Sequence, residues 1–265
     1  MLCRINTLVY NFKEVIMEIL ILIIGLCIGS FLNVCIYRIP REESIAFPPS
    51  HCTSCGYELK SVDLIPVISY LFLKGKCRKC GKKISIKYPL VELLNGVLYL
   101  LIFLRFGLSL NFVFYSLLTS LLIVISYIDL DCKYIYSSTT IFGAILATIY
   151  ILIGLYTKDI SIVNNILGGV IGYGIIYLIV ITTKGMGQGD AEIAGICGLF
   201  IGIKGILVGL FIAIVLGGLV AAIILLFKLK SRKSEIAFGP YIAIGSIVYI
   251  LIGQELLSLY LSFLL

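Results

Sequence analysis

The sequence predicts an all-α polytopic membrane helix bundle of about eight transmembrane helices, interrupted once by a small soluble insert. Three observations carry that prediction. Hydrophobic residues make up 60% of the 265-residue chain and charged residues only 13%. Apolar runs long enough for a hydrocarbon core roughly 30 Å thick recur along it. Those runs lack the alternation of an outer-membrane barrel, and backbone groups inside a bilayer must be bonded within each segment, so they read as helices.

Taken in order, the spans are expected near 18–37, 88–104, 111–128, 138–156, 161–182, 191–203, 205–227 and 239–263. The first 16 residues, MLCRINTLVYNFKEVI, have no small-residue cleavage site after their apolar part. Met17 stands directly before the first strong apolar run, and translation is expected to begin there. The stretch 191–227 is nearly unbroken, but 37 residues rising about 1.5 Å each exceed a bilayer, so a turn is expected at IGIKGI, around Lys204.

Between the first two spans the chain changes character. Residues 38–87 hold four of the six prolines and ten of the 21 basic residues. The predicted organisation is therefore an N-terminal segment with the first helix (1–37), a soluble domain (38–87) and a second membrane domain (88–265). If 38–87 is cytoplasmic, 16 basic residues lie inside, including Lys133, Lys184, Lys228, Lys230, Arg232 and Lys233, against five outside. The positive-inside rule then places the amino terminus outside. The net charge of +7 is read as this topology signal. No nucleic-acid partner is expected, since the basic residues show neither aromatic interleaving nor a reader motif.

Nine cysteines divide into two groups. Cys3, Cys27, Cys35, Cys132 and Cys197 are scattered and suit small packing positions in apolar helices. Cys52 and Cys55 in CTSC, and Cys77 and Cys80 in CRKC, form two CxxC pairs 21 residues apart. That spacing suits a tetrahedral Zn2+ site, each short knuckle supplying two thiolates. A redox pair and idle cysteines are the alternatives. Gly56 and Gly81 follow the knuckles as tight metal-binding turns require, and the neighbouring lysines and Arg78 offset the charge of four thiolates. A four-cysteine zinc has no open coordination position, so it is structural. His51 is read as a solvated loop residue, with a spare or supporting ligand as the alternative.

Catalysis is therefore sought among carboxylates. Glu92, Asp129, Asp131, Asp190 and Glu192 are expected at the cytoplasmic ends of spans. Two predicted crossings separate Asp129 from Asp190, which returns the chain to the same face. Paired carboxylates share a proton, so one can act as base toward water and the other as acid toward a carbonyl. Gly187 and Gly189, in GMGQGD, are expected to let the backbone bend and an extended substrate approach Asp190. The short sixth span, rising about 20 Å, is expected to leave Asp190 recessed. Interfacial or helix-dipole charges, or a proton-coupled transporter, fit the same residues.

GLCIGSFLNVCIYRIP (25–40), the two knuckles, YPLVELLNG (88–96), IDLD (128–131), GMGQGD (185–190) and AFGPYIAIG (237–245) together resemble, in this order, the bacterial type IV prepilin peptidases, over essentially 20–253. The resemblance implies a membrane aspartic protease of the G-x-G-D type that removes the basic leader from type IV prepilins or pseudopilins at the cytoplasmic face. It also implies methylation of the new amino terminus from S-adenosylmethionine. Asp129 and Asp190 match the family's two aspartates, and Cys52, Cys55, Cys77 and Cys80 its cysteines. Two departures stand out: IYS at 135–137 where relatives usually have Leu-Pro-Asp or similar, and Glu192 where they usually have Lys.

No dinucleotide-type G-x-G-x-x-G follows a strand, so the cofactor-binding residues are not assigned. GSFLNV and YPLVE flank the insert and are the places to search, although Gly29, Ser30 and Asn33 suit close helix packing with polar glue and Glu92 a first-turn acid. The expected protein is a multi-pass enzyme of the bacterial inner (cytoplasmic) membrane, with prepilin substrates and the lipid bilayer as partners. A G-x-G-D protease without methyl transfer, or a transporter or secretion scaffold, are the competing readings.

Overall fold

The computed structural model describes residues 2–158, 161–183, 186–227 and 237–264. Lys184, Gly185, Lys228, Lys230, Arg232 and Lys233, used above for topology or motif, lie outside the described residues. The described chain is all-helical, and seven of its helices are long and apolar enough to cross a membrane. It divides into two compact units, Met1–Ser116 and Leu117–Leu265.

The first unit is built on α1 (Leu2–Arg38) and α3 (Lys87–Phe106), with the insert between them and the start of α4 (Leu110–Cys132) at its end. α1 starts well before the first apolar run because residues 2–16 contain neither Gly nor Pro to stop it. Its GLCIG stretch lets α1 and α3 approach closely. A Cβ at Gly25 would meet the Gly96 Cα at 2.8 Å, and one at Gly29 the Glu92 Cα at 2.7 Å. Amides join the helices: Asn95 Nδ2 donates to the Gly25 carbonyl at 2.7 Å and Asn33 Nδ2 to the Tyr88 carbonyl at 3.0 Å. Small residues with interhelical hydrogen bonds are how membrane helices associate without a hydrophobic driving force. The expectation of polar glue for Gly29 and Asn33 is met.

In the insert, α2 (Ile68–Phe72) is a single short turn of helix. The two knuckles repeat one geometry. Cys52 N–H donates to the Tyr57 carbonyl and Gly56 N–H to the Cys52 carbonyl; Cys77 to Lys82 and Gly81 to Cys77 do the same. Gly56 (φ 67) and Gly81 (φ 70) take the left-handed conformation that favours glycine.

The second unit contains the rest of α4, then α5 (Ser137–Thr157), α6 (Ile162–Thr183), α7 (Gln188–Leu226) and α8 (Gly239–Leu264). α7 is broken at Gly202 (φ 70, ψ −175), two residues before the expected turn at Lys204. The break falls there because α6 supplies its partners. Asn164 Oδ1 accepts the Ile203 N–H at 3.3 Å, and Asn165 Nδ2 donates to the Leu199 and Phe200 carbonyls at 2.8 and 3.3 Å. In hydrocarbon an unbonded backbone group costs several kcal/mol, so a break forms where side chains can bond what it frees. On α5, Ile141, Ile145, Ile149 and Leu152 form one exposed apolar stripe at helical spacing, as a lipid-facing surface requires.

Candidate active site and metal centre

In the second unit, three elements deliver Asp129 and Asp190 to one place. Asp129 is in the last turn of α4 and 4% exposed; Asp190 is in the first turn of α7 and 5% exposed. The Gly239 N–H, at the start of α8, donates to Asp129 Oδ2 at 3.1 Å, and Asp190 faces the same amide. The two carboxyl groups are close enough to interact electrostatically. The Gly239 N–H is free to do this because the first N–H groups of a helix lack intrahelical partners, and Pro240 behind it has none to offer. Both α7 and α8 therefore present their positive ends to the pair.

Gly187 and Gly189 divide the work assigned to them. Gly187 N–H donates to Asp190 Oδ2 at 3.1 Å, and a Cβ there would meet nothing nearer than that oxygen, at 3.8 Å, so space beside Asp190 is open. Gly189 is a packing position, where a Cβ would lie 2.7 Å from that of Ile135. Neither adopts a left-handed φ; the chain enters α7 through a bend at Met186. The unusual IYS segment supplies the residue that Gly189 accommodates. Asp190 Oδ1 is buried with no hydrogen-bond partner. A buried carboxylate oxygen is costly to leave unbonded, so this one is an acceptor available to a donor entering the site.

Asp131 is exposed, and Glu192, two residues after Asp190, is half-buried. Glu92 is a correction: it is not a first-turn acid, since no acidic residue occupies the first turn of α3, and it is buried. Gly239 is the site residue that the motif reading missed. Its contribution is a backbone N–H, which leaves no trace in residue chemistry; its signal is the Gly-Pro at a helix start.

In the insert, one sulfur from each of Cys52, Cys55, Cys77 and Cys80 lies within 4.8 Å of all the others, with Cys52 and Cys80 at 4.0 Å. Tetrahedral zinc bonds of about 2.3 Å set sulfur–sulfur edges of roughly 3.8 Å, so the quartet fits such an ion. The Ser54 amide draws the Cys52 thiol down to about 6. Cys55 receives the Tyr57 amide, which lowers it, but desolvation and the neighbouring thiols push it up to about 11. Crowded thiolates of this kind need a cation to ionise together. Beside them Arg78 Nε bonds Asp63 Oδ1 at 2.7 Å; burial raises the Asp63 carboxyl, but Arg78 and the Lys60 amide outweigh it and hold it below its ordinary value. His51 is exposed, its Nδ1 on the Pro49 carbonyl at 3.0 Å, as a loop residue should be.

A helical, membrane-spanning bundle with a buried carboxyl pair and a separate four-cysteine centre is the class these features define. Residues 23–106 match the Bacterial Peptidase A24 N-terminal domain and residues 116–222 the Type IV leader peptidase family. The chain belongs to the type IV leader peptidase family. It is 32% identical over 248 residues to a prepilin leader peptidase/N-methyltransferase of Bacillus subtilis, covering 92% of this chain and 97% of that protein. Proteins of the same description from Neisseria gonorrhoeae (34%; 84% and 86% covered) and Pseudomonas putida (30%; 88% and 90%) are also similar. No solved structure matches the chain.

Proposed function

We propose that this chain is a membrane aspartic endopeptidase. It cleaves the basic leader from type IV prepilins or pseudopilins at the cytoplasmic face of the inner membrane and then methylates the new amino terminus. The observation that carries the reading is the convergence of Asp129 and Asp190 on the Gly239 amide, with Asp190 Oδ1 unpartnered. One carboxylate takes a proton from water while the other, protonated, donates to the scissile carbonyl oxygen. Hydrogen bonds from Gly187 and Gly239 hold one oxygen of each carboxylate and leave the other for water and substrate. No side-chain nucleophile is required.

Cys52, Cys55, Cys77 and Cys80 hold a structural Zn2+ that orders residues 38–87, where the basic residues cluster. S-adenosylmethionine, when bound, supplies an electrophilic methyl group. The cytoplasmic orientation follows from the distribution of Lys and Arg. Incubating the purified protein with a prepilin and S-adenosylmethionine in detergent tests the reading. The expected products are the free leader and a mature pilin one methyl group heavier. A cleaved but unmethylated pilin would remove the second activity, and an uncleaved one would remove the whole reading.

A further inference from the structure

The insert, with α1 and α3, lines an open-mouthed cavity of about 430 Å³, within the roughly 300–1,000 Å³ of small-ligand pockets. Neither Asp129 nor Asp190 lines it. Its membrane-side wall includes Ser30, Asn33, Tyr37, Arg38, Tyr88 and Glu92.

Glu92 is the informative group. It is buried, its Oε2 accepts the Val67 N–H at 2.7 Å, and the Ser30 hydroxyl is its other hydrogen-bonding neighbour. Among the described residues no cationic side chain pairs with it. Arg38, buried in the same wall, spends its guanidinium on the carbonyls of Ser44 (2.9 Å), Pro48 (2.5 Å) and Pro49 (3.5 Å). A buried carboxylate without a counter-charge is expensive to keep.

Backbone strain marks the same spot. Val67 has φ 60 and ψ −48, a region that β-branched residues rarely enter, closed by the Ile68 N–H on the Pro66 carbonyl at 2.5 Å. Strain of this kind collects at ligand clamps, and here it accompanies the N–H that holds Glu92. The remaining lining is complementary to a ligand of mixed character. The rings of Tyr70 and Tyr88 offer stacking surfaces for a flat base, the Tyr37 ring already carrying the Arg41 guanidinium at 3.9 Å, and Lys82 and Lys83 offer charges for a carboxylate.

We infer that this cavity binds an adenosyl-sulfonium methyl donor, with Glu92 facing the sulfonium. The inference rests on the methyl-transfer reading above and adds the place. Calorimetry on the full-length protein with S-adenosylmethionine and with S-adenosylhomocysteine, which lacks the positive sulfur, separates the two. Glu92→Gln should weaken S-adenosylmethionine binding about tenfold or more and S-adenosylhomocysteine binding by less than about threefold, at unchanged zinc content and thermal midpoint. Equal losses for both ligands would overturn the assignment, as would no loss. A second measurement needs no variant: photo-crosslinked radiolabelled S-adenosylmethionine should label peptides covering 29–38 and 82–92. Tight binding with label only elsewhere overturns the site but leaves methyl transfer standing; absence of any binding to the wild-type protein overturns both.

Discussion

Replacing Gly239 by Ala perturbs the carboxyl pair through one added atom. The new Cβ would lie 2.8 Å from Asp129 Oδ2 and 3.5 Å from Ile193 Cδ1. The carboxylate must retreat by roughly 0.6 Å to reach the 3.4 Å of ordinary contact, which lengthens its 3.1 Å bond from the Gly239 N–H. Hydrogen bonds to charged groups contribute about 1.5–3 kcal/mol, and about 1.4 kcal/mol is tenfold in rate. The expected fall in kcat/KM for prepilin cleavage is therefore about 10- to 100-fold, without loss of membrane insertion. Gly218→Ala, where a Cβ meets nothing within 4 Å, is the matched control and should stay within about twofold. Cleavage by Gly239→Ala at the wild-type rate would refute the claim that this amide positions Asp129.

Elemental analysis should find about one zinc per chain. Cys52→Ser or Cys80→Ser should release it and increase proteolysis within 38–87, whereas full occupancy after loss of both CxxC pairs would rule the site out. Gly189→Ala should lower activity and stability by about 1–3 kcal/mol through contact with Ile135, and Ile135→Ala in the same chain should recover part of the loss; purely additive effects would contradict direct packing. In a background keeping only Cys52, Cys55, Cys77 and Cys80, a cysteine at 133 should react with impermeant reagent from the cytoplasmic side and cysteines at 107, 158 and 204 from outside. The opposite pattern would invert the proposed orientation.

Local rules carried much of this structure. The knuckles were legible because a CxxC turn followed by glycine has few backbone solutions, and the helices because uninterrupted apolar runs have fewer still. What escaped depended on partners distant in sequence. The break in α7 lies at Gly202 rather than at Lys204 because Asn164 and Asn165 of α6 bond the groups it frees, and IGIKGI alone offers two glycines with no means of choosing. Glu92 read as a helix-end charge until Val67, across the insert, appeared as its donor. Gly239 could be found only in space, since a backbone amide is common to almost every residue. Within GMGQGD the carboxylate was clear, but the roles of Gly187 and Gly189 depended on whether Ile135 or open space stood opposite each.

The most direct test of the account is cleavage of a prepilin in detergent by purified Asp129→Asn, Asp190→Asn and Asp131→Asn proteins, compared at equal folded concentration by product mass. A shared-proton pair needs both acids, so the first two should release no detectable leader, while Asp131→Asn, altered at an exposed position, should retain substantial activity. Appreciable cleavage by either Asp129→Asn or Asp190→Asn, or its complete loss in Asp131→Asn alone, would contradict the assignment of the pair.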